Sequence, residues 1–379
     1  MINPVITIAE VTTPAGRPVL WDGQLSHHIP EDEVQAALKD TATNLWKSSQ
    51  AAGIRLGAAL FRFLDGTGGR LREIIRQAYH GAVPVSLYLD LPESLTALPF
   101  ELIYDDQTQS WPLLDDQRSV SILRRVNDRG SRKEFPPANR SLRVLFTACS
   151  PMELDKHEIL GFEKEEEIIL QAVKKFPVDL TIDDSGSPAG LGDKLIEGGE
   201  DHYDIVHITG HAGIDKKLGP VFYMEDEFGR EALITPEALW EALKDYPPRL
   251  LFLSGCDTGA GDVGLGAQSF AHQMVDRGVP HVLGWGLSVN DDTASILAMA
   301  LYEALGKGKD VTAAVRAARQ GMKQYHTWPL LRLFTDGSPL KPLIKSGQPL
   351  RYVTARGMKY RYLTGSQVKV LEQGFIGRR

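Results

Sequence analysis

Cysteine is nearly absent from this sequence. Two occur in 379 residues, too few for a disulfide framework, and that scarcity points to a reducing, cytoplasmic setting. Long hydrophobic runs are also missing. No apolar stretch approaches the roughly 20 residues a membrane helix needs. The longest helical candidate, Ile296–Leu305, is interrupted by Glu303. The first residues, MINPVITIAEVTTPAG, show no basic start followed by an apolar block, so no signal peptide is read. Positive charge is not in excess: 42 Lys and Arg stand against 49 Asp and Glu, a net −7, which removes nucleic acid as the default partner. No GxxxxGK[ST] phosphate loop is present, and neither HExxH nor Cys-x-x-Cys supports a metal site, so no cofactor is called for. With 42% hydrophobic and 24% charged residues, a disordered or fibrous chain is excluded. The length suggests two or three domains.

What is present divides along the chain. The first part mixes helix and strand. ITIAEV (Ile6–Val11) alternates as a strand, Glu31–Ala52 reads as a helix, and Ile54–Leu64 and Leu71–Tyr79 read as two more around the breaker DGTGG. VSLYLDL (Val85–Leu91) and VSILRRV (Val120–Val126) are strands. The polar, proline-bearing stretch Asp128–Ser141 then offers nothing periodic to bury, and a domain boundary is placed there. Beyond it apolar strands alternate with helices: Arg143–Ala148, Val178–Asp183, Asp204–Thr209, Arg249–Gly255 and His281–Trp285 as strands, with helices between and after them. Thr235 is placed to cap a helix with Pro236 in its first turn. This pattern predicts an α/β fold whose mainly parallel sheet is flanked by helices on both faces, with functional residues at the carboxyl ends of strands.

Two strand ends carry chemistry. HITGHAG (His207–Gly213) runs into His211 between glycines, and LFLSGCDTGAG (Leu251–Gly261) runs into Cys256 among glycines. The glycines are read as permitting tight turns and close backbone approach to a ligand. A thiol beside an imidazole is a nucleophile pair. Taken singly, Cys256 reads as a small buried hydrophobe and His211 as a capping or surface histidine; the two contexts together favour chemistry. Cys149, without a histidine–glycine partner segment, reads as structural. His202, His207 and His211 invite a metal reading, yet strand parity lets only His207 and His211 share a face.

GHAG after VHIT, and LSGCDTG after LLF, resemble the two catalytic motifs of the CHAT family of bacterial caspase-like cysteine proteases. LPFELIYDD (Leu98–Asp106) is similar to that family's LPWELLYD signature, with Phe100 where Trp is usual. LGAALFRFL (Leu56–Leu64) is similar to the helix before it, and VLGWGLSVNDDTAS (Val282–Ser295) to the strand and turn after the cysteine. The likeness runs over about residues 50–335. It implies a degenerate caspase-like unit over 1–127, a linker at 128–141, a catalytic caspase-like domain over 142–337, and a tail from 338 to 379. Carried over, His211 is the general base and Cys256 the nucleophile of a thiol protease. The backbone N–H groups of Ala212, Gly213 and Cys256 then form the oxyanion hole. Asp257 and Asp291 are candidates to line the pocket for the substrate residue before the cut, and an acidic pocket favours Lys or Arg; Asp257 as a turn cap is the alternative. Asp292 is read as capping the helix that follows.

The implied partner is a protein substrate, with no direct nucleic acid and no membrane. The resemblance adds a role in antiviral defence or programmed cell death. Two rivals stand beside it: a catalytically silent caspase-like scaffold, and a metal-dependent hydrolase built on the histidines. The ending GFIGRR resembles the opening of the nucleotide-binding module of STAND-type signalling ATPases, which implies C-terminal nucleotide-binding and sensor regions in a longer protein. From Lys341 to Arg379 nine Lys and Arg stand against one Glu. With −7 overall, that balance of +8 leaves −15 on residues 1–340. Docking of the tail onto the body and a solvated linker both satisfy this asymmetry.

Overall fold

The computed structural model describes residues 2–10, 12–115, 119–126, 134–151, 175–256, 264–286, 291–324 and 327–350, with backbone alone for Cys256, 264–269, 291–293 and 295. The segment with the GFIGRR likeness, the basic stretch from Arg351 onward and Asp257 lie outside these residues.

One sheet organises the described residues. Its catalytic half holds β6 (Leu142–Ala148), β7 (Val178–Asp183), β8 (Ile205–Asp215), β11 (Leu250–Cys256) and β12 (His281–Trp285), all parallel where they pair. β6 lies between β7 and β8, β11 pairs with β8 on its other side, and β12 follows. β13 (Leu331–Thr335) adds antiparallel to β12 and then pairs parallel with β5 (Val120–Arg125). From β5 the sheet continues through β4 (Val85–Asp90) and β1 (Val5–Ile8), both parallel, to the antiparallel pair β2 (Arg17–Trp21) and β3 (Gln24–Ile29). A strand buried on both faces needs apolar residues at nearly every position; every residue of β12 and β13 is buried, as are the first nine of β8. The reversal between β12 and β13 sends the carboxyl ends of β5, β4 and β1 to the opposite edge from those of β8 and β11.

Helices cover both faces. In the first half they are α1 (Glu31–Ala42), α2 (Gln50–Asp65) and α3 (Arg70–Gly81). In the second they are α4 (Pro188–Gly198), α5 (Pro236–Leu243), α6 (Gly264–Arg277), α7 (Asp291–Gly306) and α8 (Val311–Gly321). Thr235 caps α5 by accepting from the Ala238 N–H, with Pro236 in the first turn, as the sequence predicts. The single helix expected over Glu31–Ala52 is two. Asn44 turns into the left-handed region at φ 56, and Ser49 accepts from Ala52 N–H to start α2 afresh, since Asn tolerates that backbone region and Ser is a strong cap. α7 begins at Asp291, so Asp292 lies within it rather than ahead of it.

The strand expected to end at Thr209 instead runs to Asp215. There it turns into β9 (Gly219–Glu225) and β10 (Glu231–Ile234), an antiparallel addition absent from the sequence reading. The linker residues are also held. Ala138 N–H donates to the Leu343 carbonyl at 2.9 Å, and Lys345 N–H to that of Ala138 at 2.8 Å. No described helix is long and apolar enough to cross a membrane.

Candidate active site

The site grows from a change of neighbour along β8. On one side β6 accompanies it only as far as the pair Ala148–Thr209. From His211 onward β9 takes that side. On the other side β11 stays in register to its last residue, where Cys256 is the direct partner of His211. The structure therefore places the two predicted residues side by side at the carboxyl edge of parallel strands, where open α/β sheets hold their ligands. His211 is 2% exposed, and its partner on β9 is Tyr223. Beyond the His211–Cys256 pair, the β11 side of Ala212 and Gly213 has no ladder partner among the described residues. Ala212 and Gly213 are the residues assigned above to an oxyanion hole; because successive N–H groups of a strand point to opposite sides, one of the two faces this open side and the other faces β9.

The glycines beside the pair have a different cause from the one expected. Gly210 and Gly255 lie within strands and neither has a positive φ. A Cβ at 210 would sit 2.7 Å from Phe222 Cε1 and 3.1 Å from Cys149 Cβ; one at 255 would sit 3.1 Å from Phe222 Cε2. The Phe222 ring thus seats beneath both strands, on the face opposite the 211 position, and only glycine admits it. Cys149, 1% exposed, belongs to that packed face and to its apolar core, away from the His211 face. On the His211 face, Tyr223 lies over Gly213, with Cε2 and Oη each 3.3 Å from where a Cβ would stand. Sequence reasoning missed Phe222 and Tyr223. The alternation in PVFYME after the KKLG turn is the signal that could have found their strand.

Other histidines do other work. His207 shares the parity of His211 but is fully buried. Its Nδ1 lies 3.0 Å from the Tyr302 hydroxyl, and its ring stacks on Phe252 at 4.3 Å between centroids. Burial pushes it down to about 3, so it is neutral at physiological pH. His202 sits outside β8; burial and then the Arg143 and Arg140 charges lower its pKa. Among the described residues no group of three or more His, Cys, Asp and Glu side chains gathers as metal ligands.

Tyr302 stands on α7, so the helix that opens with Asp291 covers the His211 face and is pinned through His207. β12, beside the Cys256 strand, leads into it. The last described residue before that helix is Gly286, whose Cβ position is only 2.3 Å from Arg332 Nε. Arg332 reaches on to the carbonyls of Thr96 and Ala97. There the LPFELIYDD segment supplies Glu101, 0% exposed, which receives both Nε and Nη2 of Arg124 at 3.0 and 2.8 Å. Burial raises the Glu101 pKa, but Arg124, Arg332 and Arg319 outweigh it and the carboxyl stays below its usual range.

A caspase-like α/β protein is the class that this sheet and this register pair define. The chain matches the CHAT domain over residues 55–349 and belongs to that family. Comparison with curated proteins finds no match. Among solved structures, the chain is similar to the Arg-specific cysteine proteinase gingipain R, with 11% identity and a TM-score of 0.42 over 74% of this chain and 69% of that one. It is similar to separase in the Saccharomyces cerevisiae separase–securin complex, with 12% identity and a TM-score of 0.49 over 90% of this chain and 30% of that one. Caspase-1 from Spodoptera frugiperda aligns at 15% identity and a TM-score of 0.32, over 57% of this chain and 98% of that one.

Proposed function

We propose that this chain is a cysteine endopeptidase that uses His211 and Cys256. The observation that carries the reading is their register: direct partners on adjacent parallel strands, at the point where β6 gives way to β9. An adjacent imidazole lowers a thiol pKa. In the reaction the Cys256 sulfur forms a bond to the scissile carbonyl carbon, and the carbonyl oxygen takes up the electron pair. Of the N–H groups expected to form the oxyanion hole at Ala212, Gly213 and Cys256, that of Cys256 and whichever of the Ala212–Gly213 pair faces the open side would stabilise that oxyanion. Collapse expels the amine, which takes the proton held by His211. Water, deprotonated by the same imidazole, then releases the acyl group and restores the thiol.

In this reading Asp257 and Asp291 line the pocket for a cationic residue before the cut. The substrate is a protein in the cytoplasm, and the role is that of an effector in bacterial defence or cell death. Nucleotide-binding and sensor regions joined through the 338–379 tail would supply the trigger. The test is cleavage of a peptide library and of cellular proteins. Cys256→Ala and His211→Ala should each remove activity by several orders of magnitude, because the pair acts as a unit, while Cys149→Ala should leave it nearly intact. Full cleavage by Cys256→Ala would overturn the dyad, and failure of the unaltered chain to cleave or to react with any thiol-directed peptide probe would leave the silent scaffold as the better reading.

A further inference from the structure

We infer that Tyr223 is a positioning residue for the His211–Cys256 pair, an inference that rests on the function proposed above. Three strands present one cross-strand row at the site: Tyr223 on β9, His211 on β8 and Cys256 on β11, each the direct Cα partner of the next. The pleat puts positions 211, 213, 223 and 256 on a single face. Residues directly opposite in an antiparallel pair have Cβ atoms about 4.5–5.5 Å apart, so the tyrosine is the wall of the imidazole on the side away from the nucleophile. The ring also leans along the diagonal onto Gly213, with Cε2 and Oη 3.3 Å from its Cβ position. One aromatic side chain therefore borders the base and lies on a peptide of the proposed oxyanion hole.

A planar, half-buried ring suits this work. It has two rotatable bonds to order, and its flat face limits the rotation of the neighbouring imidazole. Glycine suits position 213 because a side chain there would press on the ring. The hairpin that carries Tyr223 is fixed from below by Phe222, which lies against Gly210 and Gly255. The β9 strand thus holds the pair between two consecutive aromatic residues, one on each face of the sheet.

The test uses the full chain with three variants, Tyr223→Leu, Tyr223→Phe and Cys256→Ala. Two readouts are taken: peptide cleavage, and the pH dependence of Cys256 alkylation by iodoacetamide, followed by mass spectrometry of the Cys256 peptide. Tyr223→Leu should lower kcat by about 10- to 100-fold with KM little changed, the scale set by small misplacements of reacting groups. It should also move the alkylation profile of Cys256 toward that of a free thiol, since the imidazole no longer holds the thiolate. Tyr223→Phe should restore most of both, because the ring rather than the hydroxyl does the positioning. A loss in Tyr223→Phe as large as that in Tyr223→Leu overturns this inference. So does a low-pH alkylation profile that Tyr223→Leu leaves in place. A free-thiol profile already present in the unaltered chain overturns the dyad itself. Far-ultraviolet circular dichroism of Tyr223→Leu, matched to the unaltered chain, assigns any loss to the site.

Discussion

At the scale of single residues, two kinds of constraint meet around His211. Gly210 and Gly255 are set by packing against Phe222. Gly210→Ala should therefore cost about 1–3 kcal/mol through overpacking, and Phe222→Leu in the same chain should recover part of it; urea unfolding of the single and double variants measures both. His207 is set by solvation. Burial holds its imidazole at about 3, against about 6.5 in an unfolded chain. His281, also buried beside Thr335, is pushed down to about 4 despite the opposing charge of Asp336. A histidine that stays neutral when folded contributes its full stability above about pH 6.5. That contribution is lost as pH falls toward the folded value, because the unfolded chain binds the proton more readily. Urea midpoints should fall between pH 7 and pH 4.5, and His207→Phe should flatten that slope. An unchanged slope in the variant would remove His207 from the account.

Secondary-structure elements decide what the residues can reach. β8 is eleven residues long, while its neighbour β6 stops level with Thr209, so His211 lies where one flanking strand replaces another. α7 opens at Asp291 on the His211 face and is anchored by Tyr302 to His207. If Asp291 lines the pocket, peptides with Arg or Lys before the cut should be preferred. Asp291→Ala should erase that preference more than it slows neutral substrates, since a desolvated carboxylate discriminates strongly in favour of a cation. A peptide-library profile favouring acidic or apolar residues would discard the assignment. These elements were only partly legible in the sequence. The apolar runs of β6, β11 and β12 declare themselves, as do Thr235 and Pro236 at the start of α5. The β8–β9 hairpin does not, because its glycines mimic a loop while acting as seats for a ring. The β2–β3 hairpin was missed although Asp22–Gly23, both at positive φ, is the dipeptide such turns favour.

Across the whole molecule, the two halves of the chain share one sheet through β5 and β13 and one apolar core. That core joins Leu56, Phe100 and Ile122 to Leu297, Leu301 and Trp328. A buried ionic group ties them further. Glu101 pairs with Arg124 in the first half and lies 3.9 Å from Arg332 of the second, while Arg332 donates to Thr96 and Ala97. Arg319 and Arg332 are pushed down to about 10 and about 9, chiefly by burial, so both remain cationic near neutral pH. Glu101→Gln would leave buried guanidinium groups without their carboxylate, a change worth about 3–5 kcal/mol. Thermal unfolding should report that loss. Because Arg332 lies on Gly286 beside the segment leading to Asp291, cleavage should fall as well, even though Glu101 is remote from the reacting atoms. A variant with unaltered melting and activity would show that the group is dispensable.

The sequence alone determined the fold class and named the candidate residues. The apolar runs that lead into GHAG and SGCDTG specify a mainly parallel sheet and bring a histidine and a cysteine toward its carboxyl edge, because strand periodicity is a local property. Only the tertiary structure decided the rest. That Cys256 falls opposite His211 rather than two residues away depends on strand register, which is set by the packing of both faces. That Tyr223 falls opposite His211 and Phe222 underlies the glycines depends on a hairpin returning from beyond the motif. That Glu101 serves as a buried counter-ion depends on arginines from β5, α8 and β13, which folding alone brings together.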